Sequence, residues 1–502
     1  MKDIIYESII EEARKHAIRY QMYHNNLEII YKRNKKRIIN PQEKQVKKPE
    51  CWEVDKKYNP FYVIKHAKQI TKSIRNKLND NNYTPQKPFI REIPKSSGGI
   101  RKITIYQIPD AAISNYLYHR LLSKNKHRFS SLSYAYRDDR NVHYAVQDIS
   151  LELKSHPRLF VAEFDFSNFF GNVDHEYLFN QFDQNGFSIN EYERKLIKAF
   201  VDVNERGIPQ GTSISLFLAN LVCWKLDRAI ESEGLRFARY ADDTVIWSND
   251  YTKICKAFEI ISEFSKETGV PINFKKSEGI SLLTDKNMPS EFYKTKEYIN
   301  FLGYKLSGNK VSIKDSKVRD IKQQISYLLY RNLIQPIKAQ PFVAVTIPNN
   351  DKDPMFVTAI MQIRRYLYGN LNDRLLNLYL SGVYKRLNFK GLMSFYPLID
   401  DIDQLNELDG WLISTIFNCL KLRAKLFNNV GFNVYNQFPF NVPKDDLIYK
   451  CKKMSYNGKI GLMEIPSFTR IYHAVKKGVS DYGIDGVMNP LSNIYNYYEK
   501  HK

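Results

Sequence analysis

Residues 239–248 read Arg-Tyr-Ala-Asp-Asp-Thr-Val-Ile-Trp-Ser, placing two adjacent carboxylates, Asp242 and Asp243, between apolar, β-prone residues. The pattern predicts a β-hairpin whose tight turn presents both acids at one edge of a sheet. Like charges side by side repel, so the fold must have a use for them. Divalent metal is the usual one, because Mg²⁺ takes hard oxygen ligands and is commonly held by one or two carboxylates plus substrate phosphates. A solvated Asp-Asp turn is the plain alternative. Upstream, residues 159–166 read as a buried strand with Asp165 at its end. A carboxylate there is costly to bury unless it binds something. If strand and hairpin are neighbours, three carboxylates meet at one sheet edge. That is the arrangement for two Mg²⁺ ions that activate a 3′-hydroxyl and stabilise a leaving pyrophosphate.

The elements that would position these acids can be read from the sequence around them. Between them lies Arg206-Gly-Ile-Pro-Gln-Gly-Thr-Ser-Ile-Ser215, in which Gly207 and Gly211 allow close backbone approach and Gln210 is placed to lie against a base pair. An apolar helical run comes next, over 216–226. Three regions are expected: a basic helical extension over 1–80, alternating strands and helices over 81–310, and a mainly α-helical region over 311–502. In the last, residues 317–333, 373–387 and 405–427 carry apolar side chains at helical spacing. Asn- and Pro-rich breaks at Ile347-Pro-Asn-Asn350 and Phe438-Pro439 separate them. The first region carries the basic run Lys32-Arg-Asn-Lys-Lys-Arg37, readable as a nucleic-acid contact or as a solvated helix face.

Over residues 88–306 the chain resembles the reverse transcriptases, and within them the bacterial group that includes group II intron, retron and defence-associated enzymes. The motifs stand in family order: Ile93-Pro-Lys-Ser-Ser-Gly-Gly-Ile-Arg101, Tyr134-Ala-Tyr-Arg-Asp-Asp-Arg140, Phe164-Asp-Phe-Ser-Asn-Phe-Phe170, Ile208-Pro-Gln-Gly211, Tyr240-Ala-Asp-Asp243, Val270-Pro-Ile-Asn-Phe-Lys-Lys-Ser277 and Phe301-Leu-Gly-Tyr304. The resemblance implies an α+β fold, with the fingers and palm of a right-hand polymerase followed by a helical thumb. It implies an RNA-directed DNA polymerase using two Mg²⁺ ions, with Mn²⁺ as a substitute. Asp165 and Asp242 would be the principal metal ligands, with Phe166 beside them and Asp243 as the third carboxylate. Lys95 and Arg101 would meet the triphosphate of the incoming dNTP, Arg being suited to bidentate phosphate contacts. Phe170 falls at the steric gate against a 2′-hydroxyl, Gln210 near the templating pair, and Lys276, or equally Lys275, by the nucleotide. Core packing for Phe170 and loop surface for Lys95 and Arg101 are the bland alternatives. For Arg137 and Arg140 the alternatives are solvation or pairing with Asp138 and Asp139.

The chain departs from the intron-like pattern in two places. Ser215-Leu216-Phe217 stands where Ser-Pro-Leu is common, and Ala135-Tyr136-Arg137 where Gly-Phe-Arg is usual. These departures bear on template handling more than on catalysis. With no His-Asn-His nuclease pattern and no Cys-rich finger, the long helical C-terminal region resembles the abortive-infection and other defence-associated enzymes. That implies an anti-phage role with a noncoding RNA as template or partner. A retron or group II intron setting, and an RNA-binding scaffold with incidental polymerase activity, are the alternatives. The tail Ile494-Tyr-Asn-Tyr-Tyr-Glu-Lys-His-Lys502 raises protein priming from a terminal tyrosine, against a helix that packs its rings on the body.

Composition agrees. Lys and Arg number 76 against 54 Asp and Glu, a net charge of +22 that suits phosphate backbones of RNA and DNA. The 35 tyrosines and 29 phenylalanines suit both a core and base stacking. Five scattered cysteines form no Cys-x-x-Cys pair and no disulfide framework, which fits a reducing cytoplasm. No signal peptide and no membrane-spanning run are read, and homo-oligomerisation is left open.

Overall fold

In a computed structural model of the chain, residues 3–35, 44–94, 98–285, 287–338, 345–350 and 353–488 are described. They fall into two compact units, one within residues 1–25 and 45–299, the other within 26–44 and 300–502. Strands and helices mix in an α+β fold, as the sequence leads one to expect.

The first unit carries the site. Its N-terminal part is helical, with helix Ile4–Lys35 as far as residue 25 and helix Pro60–Asn79, the latter capped by the Asn59 side chain and started by a proline. An antiparallel ribbon of β1 (Phe89–Pro94) and β2 (Ile100–Ile105) comes next. The main sheet is built from β3 (Arg158–Phe164), β4 (Arg236–Tyr240), β5 (Asp243–Ser248), β6 (Gly279–Thr284) and β7 (Thr295–Lys296) in the order β4-β5-β3-β6-β7. The central position of β3 follows from its apolar, branched and aromatic residues, since both of its edges are paired. Side chains alternate across a strand, so Ala162, Phe164 and Phe166 enter the hydrophobic core. Glu163 and Asp165 take the opposite parity. Helix Tyr251–Thr268, started by an Asp250 cap and ended by Gly269 at φ +69°, adds Ile254, Ala257, Ile261 and Phe264 to that core.

The apolar run over 216–226 is not one helix. It divides at Cys223 into Ile214–Val222 and Trp224–Ser232. The second unit is mainly helical, with Asp315–Leu329, Pro354–Tyr368, Asp373–Leu380, Ile402–Asn429 and Phe468–Val487 its longer helices. A small sheet of β8 (Ile299–Phe301), β9 (Tyr304–Leu306) and β10 (Val311–Ile313) opens it. The helix expected over 373–387 stops at Leu380, where Ser381 and Gly382 (φ +82°) end it. No helix among the described residues is long and apolar enough to cross a membrane.

Candidate active site

The hairpin forms as read. β4 and β5 pair with Tyr240 opposite Asp243, so Ala241 and Asp242 are the two turn residues. Ala241 has φ +61°, a left-handed conformation at the first central position such as a tight hairpin of primed type requires. β5 lies beside β3 with Thr244 opposite Phe164, which carries the turn to the end of the strand where Asp165 stands.

A cleft of about 500 Å³ opens there, lined by Ile93, Pro94, Arg101, Asp165, Phe166, Asn168, Phe169, Phe170, Gln210, Asp242 and Lys276. It gathers Asp165, Phe166, Asp242, Arg101, Phe170, Gln210 and Lys276 from stretches far apart in the chain. Lys95 lies outside the described residues, and of the two candidate lysines Lys276 lines the cleft. Of the three carboxylates expected to meet, Asp165 and Asp242 line the cleft, and Asp243 opens β5 directly after the turn. Asp243 is exposed and does not line the cleft, and no group of three His, Cys, Asp or Glu among the described residues is placed to hold a metal.

Asp165 is held on several sides. The segment after helix Tyr251–Thr268 runs antiparallel to it, with Asn273 N–H donating to the Asp165 carbonyl at 2.8 Å and Ser167 N–H to the Pro271 carbonyl at 2.8 Å. Ser277 Oγ accepts from the Asp165 N–H at 3.0 Å, and Asn273 Nδ2 donates to Asp165 Oδ2 at 3.0 Å. Lys276 Nζ lies 3.3 Å from the same oxygen. Asn273 and Ser277 were not singled out by sequence reasoning. Both fall inside the Val270–Ser277 motif, yet nothing in their type marks a partner more than a hundred residues away. Burial pushes the Asp242 carboxyl above its ordinary value, and the negative Asp165 pushes the same way, while Arg101 and Lys276 oppose both.

The Pro-Gln-Gly loop is tied to both walls. Gly207, at φ +85°, lies so close to the Phe170-Gly171 backbone that an added Cβ would meet it at 2.7 Å. Gly211, at φ +115°, would likewise meet the Thr104 carbonyl at 2.8 Å. Ile208 N–H donates to the Phe170 carbonyl at 2.6 Å, and Thr104 N–H on β2 donates to the Gln210 carbonyl at 2.7 Å. Thus one loop fixes Gln210 against the ribbon and fixes the backbone that carries Phe170. The Phe170 ring is half-buried and packs edge-on against Phe169, with centroids 5.6 Å apart. Arg137 is structural: its guanidinium pairs with Asp139 at 2.8 Å and donates to the Ser130 carbonyl at 2.6 Å.

Residues 93–306 match the family described as reverse transcriptase (RNA-dependent DNA polymerase). Among curated proteins, the chain is 31% identical over 124 residues to the retron Ec86 reverse transcriptase of Escherichia coli, a match covering 24% of this chain and 37% of that one. It is 27% identical over 188 residues to Protein YkfC of Escherichia coli (strain K12), covering 35% and 49%. The matches thus span less than half the length of either relative. A telomerase structure from Candida albicans with a TWJ fragment of telomeric RNA aligns at 13% identity over 73% of this chain and 66% of that one, with a TM-score of 0.35. The segment 93–306 thus matches the reverse transcriptase family, and both of these curated relatives are proteins of Escherichia coli.

Proposed function

We propose that the protein is an RNA-directed DNA polymerase that adds dNTPs to a 3′-hydroxyl. The observation that carries this reading is the single cleft that brings Asp165 and Asp242 together with Arg101, Phe170, Gln210 and Lys276. The residues suit a divalent cation: two carboxylates face one polar cleft, and their mutual repulsion is of the kind a cation relieves. Asp165 and Asp242 would hold Mg²⁺ or Mn²⁺, with Phe166 beside them and substrate phosphates completing the shell. Two bound ions supply activation of the attacking 3′-hydroxyl and charge stabilisation for the leaving pyrophosphate. Arg101, with Lys95, binds the triphosphate. Lys276 adds positive charge on the same side. Gln210 lies by the templating pair, and the Phe170 ring crowds a 2′-hydroxyl so that deoxynucleotides are preferred. In this reading residues 81–310 are fingers and palm, 311–502 a helical thumb and C-terminal domain, and 1–80 a basic extension. RNA template and DNA product occupy a protein whose net charge is +22.

The biological setting we propose is bacterial anti-phage defence with a noncoding RNA as template or partner. Support comes from the mainly helical C-terminal unit. The match to a retron enzyme favours a second reading, a retron-type reverse transcriptase. Protein priming from the C-terminal tyrosines lies outside the described residues. The test is to purify the protein with its accompanying RNA, supply dNTPs and Mg²⁺, and sequence the products. DNA complementary to a bound structured RNA, absent in Asp242→Asn, supports the reading. Label that resists nuclease but is lost with protease identifies protein priming. Normal biological activity in Asp242→Asn supports a scaffold instead.

A further inference from the structure

Behind the hairpin lies a fully buried ion pair. Arg239, on β4, and Asp227, on helix Trp224–Ser232, are 0% and 1% exposed. Their bonds are bidentate, Nε to Oδ1 at 2.6 Å and Nη2 to Oδ2 at 2.6 Å. Two such charges gain little over apolar residues of the same volume, so the pair's contribution is sought in what its remaining donors hold. Arg239 Nη1 donates to the Ala241 carbonyl at 3.0 Å and to Asn220 Oδ1 at 3.2 Å, and Nη2 donates to Ser133 Oγ at 2.8 Å. The Arg239 backbone pairs with the 132–134 segment as well, through Tyr134 N–H to its carbonyl at 2.9 Å and its own N–H to the Leu132 carbonyl at 3.0 Å.

The Ala241 carbonyl belongs to the peptide that leads into Asp242. Ala241 itself stands at φ +61°, where a residue with a Cβ is strained and persists only if its surroundings over-determine it. The Arg239 guanidinium is the side chain that holds this peptide, and Asp227 fixes the guanidinium. We propose that Arg239, locked by Asp227, is a positioning residue that sets the Ala241–Asp242 peptide and thereby aims the Asp242 carboxylate into the cleft. The proposal rests on the polymerase reading for its catalytic consequence, but its geometric content concerns Asp242 alone. A planar fork with several donors does this where an ammonium would not, because one guanidinium binds Asp227 with two nitrogens and still reaches Ala241.

The experiment compares wild type, the apolar pair variant Arg239→Met/Asp227→Leu, Arg239→Lys, and Asp242→Asn as the reference for a lost site. Mn²⁺ binding is read by the electron paramagnetic resonance of free Mn²⁺, primer extension by kcat and dNTP KM, and folding by Tm without metal. The pair variant is expected to keep its fold, to bind Mn²⁺ about tenfold more weakly, and to lose about tenfold or more in kcat, with KM changed less than about threefold. Arg239→Lys moves the same way. If the pair variant does not fold, Arg239→Lys decides alone. A folded variant with wild-type Mn²⁺ affinity and kcat overturns the proposal, as does a wild type with no Asp242-dependent Mn²⁺ site. A wild type that binds Mn²⁺ through Asp242 yet extends no primer contradicts the polymerase reading only, and the Mn²⁺ comparison still decides the positioning role.

Discussion

Asp165 and Asp242 reach one cleft by different routes, and the difference sets what each substitution should do. Asp165 ends a central strand and is tied by Asn273, Ser277 and Lys276. Asp242 sits in a two-residue turn, half-buried, where burial and Asp165 both press its carboxyl toward the neutral form. Asp165→Asn or Asp242→Asn should lower primer extension by a factor on the order of a thousand, since the metal-dependent term is worth several kcal/mol, with Tm unchanged within a few degrees. Phe170→Ala should relax discrimination against ribonucleotides by a factor on the order of ten to a hundred, read as the ratio of kcat/KM for dNTP and rNTP. Unchanged discrimination would make Phe170 a packing residue. The two acids were legible because a carboxylate at the end of an apolar run is costly to bury unless it binds something. The exposure of Asp243 was not legible, because sequence adjacency does not reveal which way a turn points each side chain. Asn273, Ser277 and Asp227 were not legible, because their roles depend on contacts that only the folded chain makes.

The strands, the hairpin and the loop with its glycines could be read from local pattern. β-branched and aromatic runs marked β3 and β5, and Gly207 and Gly211 marked close approach. The division at Cys223 and the early end at Leu380 could not, because an apolar period continues across both and only the caps stop the helices. Gly207→Ala should cost about 2–4 kcal/mol and halt extension, because the added methyl would meet backbone, which cannot rotate away. Chemical denaturation read beside activity checks this. In the second unit, Glu464 is pushed up to about 7 by burial and by the neighbouring negative Asp373, with Arg470 and Lys452 opposing. A folded value above the unfolded one means that the folded form keeps a proton which the unfolded form releases. Stability from this group is therefore present at low pH, falls as pH rises from the ordinary carboxyl value, about 4.3, toward about 7, and is level beyond. Glu464→Gln should gain Tm relative to wild type at pH 8 but not at pH 4. The same difference at both pH values would remove Glu464 as the cause.

At the scale of the molecule, the net charge of +22 is divided between the polymerase motifs and the C-terminal stretch beyond them. From Lys310 onward there are 27 basic and 16 acidic residues, an excess of 11. A basic surface of that kind should make binding of an RNA–DNA primer-template fall by at least about tenfold between 50 and 200 mM salt, whatever its sequence. Binding indifferent to salt would mean that the charge is spent on internal pairs. The family match over 93–306 was legible in the sequence because seven motifs stand in order. Partner and trigger were not, because they depend on surfaces whose residues carry no local signature. The most direct test of the central claim is single-nucleotide extension of a DNA primer on a defined RNA template, with each dNTP supplied alone in Mg²⁺. The account predicts addition of the nucleotide complementary to the first template base, and its loss in Asp165→Asn and Asp242→Asn. Addition that ignores the template base, or that survives both substitutions, would contradict RNA-directed synthesis at this cleft.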